Sequence, residues 1–518
     1  MFKLILSEGM TILARVEAAG KRDSIAVVQE RVPEKGLGIT FESLIFQART
    51  ISSRIPRGII AVALPITIEH IVLLLGIPES GVSTIMPLNP DFSYSEFEYF
   101  LGQGATLLIS DGNEHAEAAA TKLHVPIARI RLGSDGLVEF DSNPRQGSSP
   151  RSSPRQSPPL ANHQQSESDI AVLLFTSGTT AAPKAVPLTH KNLLSSVDNI
   201  LLTIPVTSAD TTFSVMPLFH IHGIVASVLT ALCAGSTVVV PQGGRFSARR
   251  FLSVLSKWEV TWFTAVPTIH QIVLRQEQEV DMRFPWLRFV RSSSSRLDPA
   301  VLQALEEKFG VPVIEAYAMT ETSYQITSNP CDPERRVPGS VGCAHGSVEV
   351  KILNTIGDEL PVGGCGEICV RGPNVMTGYL GNALATATAF TKDGFFRTGD
   401  EGCVDQKGFL TITGRIKEQI NRGGEKISPA EIDAVVRAFP GVDEAYAFGY
   451  PDELYGESVG VAVVCRGDAP TEAQIREHVG NHLARFKVPS KIFFVDQLPK
   501  TATGKVQRTT LPKYFKLD

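Results

Sequence analysis

Residues 173–190 read LLFTSGTTAAPKAVPLTH. Three apolar residues that suit a buried strand run into a loop that gathers Thr176, Ser177, Gly178, Thr179 and Thr180, and a lone lysine, Lys184, follows. Backbone N–H groups of such a loop can converge on an anion, and the hydroxyls add donors of their own. The lysine adds a mobile positive charge. Polyphosphate is the ligand this chemistry suits. The P-loop spacing GxxxxGK[ST] is absent here, and an ordinary Ser/Thr turn accounts for the loop equally well when it is taken alone.

Outward from the loop, strand-length apolar runs alternate with amphipathic segments: GIIAVALP, ATLLIS, IAVLLF, FSVMPLF, STVVVP, VTWFTAV and LRFVRS. Runs without strict alternation suit sheets covered by helices on both faces, so the expected class is α/β. One helix is well punctuated. Asp298 can cap it, Pro299 fits its first turn, Val301, Leu302, Leu305 and Phe309 share a stripe, and Gly310 ends it. Residues 141–168 are dense in Pro, Ser, Arg and Gln, and are expected to be a flexible insertion.

A second boundary is expected near residue 417. After it, Ser428 and Glu431 have capping-box spacing, Pro429 follows the cap, and Ile432, Val435, Val436 and Phe439 form one face. Two strands and a helix starting near Thr471 complete a compact α+β unit. The expected division is a large domain over residues 1–416 and a small one over 417–518.

The 518 residues are too many for one core. Hydrophobic residues make up 43% and charged residues 20%, a globular profile. The net charge of −5 supplies no pull toward nucleic acid or acidic membranes. Seven scattered cysteines without CxxC pairs read as free thiols in a reducing compartment, not as a zinc site. The stretch GIIAVALPITIEHIVLLLG contains Pro65, Glu69 and His70, and reads as strand, turn and packed helix, not as a membrane span. No signal peptide is expected in MFKLILSEGM, and a cytoplasmic location is preferred because the closing KLD departs from a peroxisomal SKL.

The loop is followed, in order, by EAYAMTE at 315–321, FFRTGD at 395–400, GRIKEQINRGGEK at 414–426 and LPKTATGK at 498–505. Together these resemble the core motifs of the adenylate-forming superfamily of acyl-CoA synthetases, luciferases and peptide-synthetase adenylation domains. PLFHIHG, GRFSA, TAVPTIHQI, INRGGEKISP and FKVP are most similar to the oxalate–CoA ligase group of plants and fungi. The resemblance implies a large N-terminal domain of stacked αβ layers with a mobile C-terminal cap. It also implies ATP, Mg²⁺ and coenzyme A. A carboxylic acid would form an acyl-adenylate, and then a thioester.

By the same resemblance, Thr176, Ser177, Gly178, Thr179, Thr180 and Lys184 hold the β- and γ-phosphates. Thr320 touches the α-phosphate, and Glu321 is the Mg²⁺ ligand. Tyr317 stacks on adenine, while Asp400 and Arg415 serve the ribose. Lys505 lies between the acyl carboxylate and the α-phosphate during adenylation. Lys417 is the hinge, and Gly423 and Gly424 face coenzyme A. His220 borders the acid pocket, with Ser294 of the Ser292–Ser295 run and Tyr324. From sequence, His220 and His222 alternate as strand neighbours and face opposite sides, and His222 reads as a buried, hydrogen-bonded histidine.

Two departures bear on the match. Ala181 and Ala185 stand where glycines are frequent, which would strain any position needing a positive φ. Tyr324 stands where the oxalate group carries a histidine, so a cation for a second carboxylate is missing at that position. The acid is therefore read as oxalate or, alternatively, as an aromatic acid stacked on Tyr324. A carrier protein loaded in trans is the rival acceptor to coenzyme A.

Overall fold

The computed structural model describes residues 9–30, 36–133, 135–140, 165–176, 183–276, 284–423, 425–467, 469–500 and 506–517. Ser177, Gly178, Thr179, Thr180, Ala181, Gly424 and Lys505 lie outside the described residues.

The chain divides into two compact units. The first comprises residues 1–177, 183–349 and 371–388. Its described residues build two sheets. One has seven strands in the order 138–140, 127–132, 105–110, 58–63, 83–87, 170–176, 184–189. Its inner pairs are parallel, and the two edge strands join antiparallel. The other has nine strands and carries 289–292, 313–319 and 324–328 side by side. The inner strands are runs such as Val238–Val240, all fully buried, because helices cover both faces of a parallel sheet.

Local chemistry explains the helix at Pro299–Phe309. The Asp298 side chain accepts from the Ala300 N–H at 2.9 Å, Leu302, Leu305 and Phe309 are buried, and Gly310 stops the helix at φ +69°. The stretch 58–76 is a strand to Ala63 followed by a helix, Ile68–Gly76, capped by Thr67. Among the described residues no helix is long and apolar enough to cross a membrane.

FSVMPLF is not the expected strand. The strand ends at Phe213, and a helical segment of wide turns, His222–Leu229, begins at the second histidine. Pro217 cannot supply a ladder N–H, and Gly223 passes so close to Pro217 that a Cβ would sit 2.3 Å from its carbonyl oxygen. The apolar residues Ile224, Val225, Val228 and Leu229 serve a buried helix instead. His220 and His222 are therefore not alternating strand neighbours. Of the expected insertion, residues 141–164 lie outside the described residues, whereas the turn at 165–168 is tied down. There the Glu167 carboxylate accepts from the Gly9 N–H and pairs with Lys191 at 2.9 Å.

The second unit takes in residues 178–182, 350–370 and 389–518, so it gathers chain on the N-terminal side of Lys417 as well as 417–518. It holds an antiparallel sheet of four strands, 349–353, 365–371, 396–404 and 410–415. A second sheet of five strands packs with the helices Pro429–Arg437 and Glu472–His482 over a core of Ile432, Val436, Ile475 and Val479. Thr471 caps the latter helix in a capping box with Gln474. The box expected at Ser428 does not form. The Ser428 hydroxyl donates to the Thr413 carbonyl at 2.7 Å, and Glu431 turns to Lys487. Cys365 and Cys403 are not free thiols. They sit opposite each other on neighbouring antiparallel strands, with Cα atoms 4.4 Å apart, and are disulfide-bonded. Their separation of 38 residues hides this pairing from a reading of spacings.

Candidate active site

In the first unit the phosphate-loop strands pair so that Thr176 stands opposite Lys184. Ala185 follows in the same extended strand and has no positive φ, so alanine costs nothing there. The EAYAMTE stretch forms the strand Val313–Met319 and then a tight 3-10 turn, Thr320–Thr322. Ser323 closes the turn at φ +52°, and its N–H donates to the Thr320 carbonyl at 3.0 Å. Glu321 is thereby held at the end of the strand, 8% exposed, with Tyr317 buried behind it on the strand.

Tyr379, absent from the sequence reading, joins these parts. Its hydroxyl donates to Glu321 Oε1 at 3.0 Å, and Lys184 Nζ lies 4.6 Å from its ring centroid. Burial pushes the Tyr379 hydroxyl pKa up, and the Glu321 carboxylate adds to the rise. The segment that carries Tyr379 is laced to the Glu321 turn. The Met376 N–H donates to the Glu321 carbonyl at 2.8 Å, and the Asn374 amide donates to the carbonyls of Thr322 and Gln325. RGPNVMTGY has neither period, so only its Gly–Tyr pair was there to be noticed. Among the described residues no group of three or more His, Cys, Asp or Glu side chains could hold a metal.

Beside Ser294, one of the residues expected to border the acid, His222 is 2% exposed, and its Nδ1 and Nε2 share hydrogen bonds with Ser294 (3.0 Å) and Thr264 (2.7 Å). Its ring centroid stands 5.1 Å from that of Tyr324. Tyr324 itself is completely buried and its hydroxyl accepts from Arg291 at 2.8 Å. His220, on the turn before the helix, packs on Phe219. The structure thus gathers Ser294 and Tyr324, two of the three residues expected on the acid side, around His222, which is the buried, hydrogen-bonded histidine expected from sequence. Ser294 adopts φ +72° and Tyr324 φ +106°, conformations that non-glycine residues hold only where surrounding contacts dictate them.

In the second unit Asp400 and Arg415 are cross-strand partners, and Arg415 Nε lies 3.0 Å from the buried Asp400 carboxylate. Lys417 sits exposed in the short turn Ile416–Glu418. Gly423 adopts φ +61°, and its N–H donates to the Tyr455 carbonyl at 2.8 Å. The residues on either side of 501–505 are pinned. Lys500 and Val506 form a β-bridge, Lys500 Nζ pairs with Glu444 at 2.7 Å, and Arg508 binds Asp433 and Glu418.

Glu315, which opens EAYAMTE, carries the clearest pH consequence. Burial pushes its carboxyl up to about 7, against the opposing pull of the Gly339 N–H and of Arg296 and Arg336. An acid held above its unfolded value stabilises the fold while protonated. That contribution is full below pH 4.5 and is lost as pH rises through about 7. Stability is expected to decline across this window by about 3 kcal/mol at most. Glu315→Gln should remove that slope, read as urea midpoints at a series of pH values.

Residues 16–380 match the AMP-binding enzyme family, and residues 431–505 match the AMP-binding enzyme C-terminal domain. The chain is 44% identical over 470 residues to an oxalate–CoA ligase of Arabidopsis thaliana, covering 89% of each chain. It is 39% identical over 530 residues to an oxalate–CoA ligase of Saccharomyces cerevisiae, covering 95% of each. Among solved structures, ATP-bound MatB from Rhodopseudomonas palustris superposes with a TM-score of 0.86 at 30% identity, over 98% of this chain and 99% of that one.

Proposed function

The chain belongs to the AMP-binding enzyme family, and on that premise we propose that this ATP-dependent acid–CoA ligase takes oxalate as its acid. Two relatives named as oxalate–CoA ligases support the choice.

A carboxylate is a poor acyl donor, and adenylation gives it a leaving group. One carboxylate oxygen of the acid attacks the α-phosphorus of MgATP, the bond to the β-phosphate oxygen breaks, and pyrophosphate departs. The coenzyme A sulfur then attacks the acyl carbon of the adenylate. The carbon–oxygen bond to AMP breaks, and the thioester and AMP leave. The first step spreads charge over phosphate oxygens, so the site needs donors already in place. Thr176, Ser177, Gly178, Thr179, Thr180 and Lys184 supply them to the β- and γ-phosphates, and Thr320 to the α-phosphate. Tyr317 receives the adenine, and Asp400 with Arg415 the ribose. Gly423 and Gly424 border the coenzyme A path, Lys417 is the hinge, and His220 flanks the acid.

Glu321 fits the Mg²⁺ that travels with the nucleotide. A single hard carboxylate leaves the remaining positions to phosphate oxygens and water, as magnesium prefers. The observation that carries the reading is the line Lys184–Tyr379–Glu321, in which one phenol holds a cation over its ring and a carboxylate on its hydroxyl. The aromatic acid gains less support, because the Tyr324 ring is fully buried against His222 and Arg291.

Free coenzyme A is the acceptor in this reading, large and small domains divide near residue 417, and the enzyme works in the cytoplasm. The test is AMP release with MgATP, coenzyme A and a panel of acids. Oxalate is expected to give the highest kcat/KM. No acid-dependent AMP across the panel would refute the ligase, and a preferred holo-carrier would replace coenzyme A.

A further inference from the structure

Lys184 and Glu321 carry opposite charges against the same phenol and do not pair with each other. Lys184 Nζ lies over the Tyr379 ring, 4.6 Å from its centroid, and Glu321 Oε1 accepts from the Tyr379 hydroxyl at 3.0 Å. Among the described residues no carboxylate lies within ion-pair distance of Lys184. Other lysines that come beside a glutamate pair with it, Lys191 with Glu167 at 2.9 Å and Lys487 with Glu431 at 2.6 Å. A lysine stem is long and flexible, so something must hold Lys184 off.

The ring is placed to do so. An aromatic face is electron-rich and its rim electron-poor, so a cation settles on the face while a carboxylate takes the hydroxyl at the rim. Backbone bonds fix the ring between the two stretches that carry the charges. The Leu380 N–H donates to the carbonyl of Ala185, next to Lys184, at 2.9 Å, and the Met376 N–H donates to the Glu321 carbonyl at 2.8 Å. The Asn192 amide donates to the carbonyls of Pro373 and Val375, and the Tyr379 N–H donates to the Thr386 hydroxyl at 3.0 Å. Tyr379 is 8% exposed, so the ring has little room to turn aside.

We propose that Tyr379 is a positioning residue whose ring keeps Lys184 and Glu321 from neutralising each other. The lysine charge then goes to the nucleotide phosphates, and the carboxylate charge to the metal that accompanies them. This inference rests on the ligase reading and deepens it.

The test is calorimetric binding of ATP to the full-length protein, without acid or coenzyme A, in EDTA and in excess Mg²⁺. Glu321→Gln is measured in three backgrounds: wild type, Tyr379→Phe and Tyr379→Leu. Removing a carboxylate near the triphosphate favours metal-free ATP by itself, and comparing backgrounds cancels that gain. In Tyr379→Leu the ring is gone and Lys184 swings onto Glu321. Metal-free ATP should then bind roughly 10-fold more weakly, within the range of coupling between groups in contact. Glu321→Gln should return that loss, so its effect is expected to be about 10-fold larger there than in the wild-type background. Tyr379→Phe keeps the ring and should leave the effect of Glu321→Gln at its wild-type size. Mg²⁺ should tighten ATP binding less in Tyr379→Phe than in the wild type, because the carboxylate has lost the hydroxyl that orients it. An effect of Glu321→Gln that is equal in the tyrosine and leucine backgrounds overturns the inference and leaves the ligase reading standing. So does an enlarged effect in Tyr379→Phe. A loss in Tyr379→Leu that Glu321→Gln does not recover, the result of simple damage to the fold, overturns it as well. No ATP binding by the wild-type chain in either condition removes the reading and the inference together.

Discussion

Lys505→Ala is expected to slow acyl-adenylate formation by roughly 10²- to 10³-fold, the effect of removing one well-placed donor from a developing anion. Acid-dependent exchange of pyrophosphate into ATP reads this step directly. The second half-reaction, supplied with synthetic acyl-adenylate and coenzyme A, should lose far less, because the role proposed for the lysine ends once the α-phosphorus has reacted. The division of labour between half-reactions is what the variant tests. Equal losses in both would mean that Lys505 holds the unit together, not the transition state.

Arg508→Ala carries the largest expected effect on stability. The guanidinium is partly buried, 16% exposed, and binds the buried Asp433 carboxylate, Glu418 at 3.2 Å and the Ala447 carbonyl at 2.8 Å. Truncation leaves the Asp433 charge inside the second unit without its counterion. Breaking a buried pair from one side costs about 3–5 kcal/mol. The midpoint of urea unfolding for the second unit should drop accordingly, with Arg508→Lys intermediate because it restores the charge but not the fork of donors. An unmoved midpoint would show that water reaches Asp433 and that the pair contributes little. Arg508 also ties the 506–508 stretch to Glu418 beside Lys417, so both variants bear on how firmly that stretch is held.

The motifs on which the expected site rests were legible because each is local. The phosphate loop, the TE turn and the RTGD stretch each place donors or carboxylates within a few residues, and short-range spacing survives in sequence. The helix at 299–309 was legible for the same reason, since cap, proline, stripe and closing glycine all act within one helix. Tyr379 was not legible. It reaches Glu321 across 58 positions, through backbone hydrogen bonds that no periodicity announces. FSVMPLF at 213–219 and the two histidines after it were misread as strand, because an apolar run of that length does not by itself fix the element, and the close passage of Gly223 past Pro217 goes with a helix from His222.

By itself the sequence determined the family, the α/β class and a second α+β unit, because each rests on contiguous residues. Tertiary structure alone decided what surrounds Tyr324. Tyr324 looked like a lost charge in sequence. In the fold, strands 289–292 and 324–328, separated only by 313–319 in the sheet, let Arg291 reach the Tyr324 hydroxyl from 33 positions away. Charge compensation is a matter of distance in space, and only packing sets that distance.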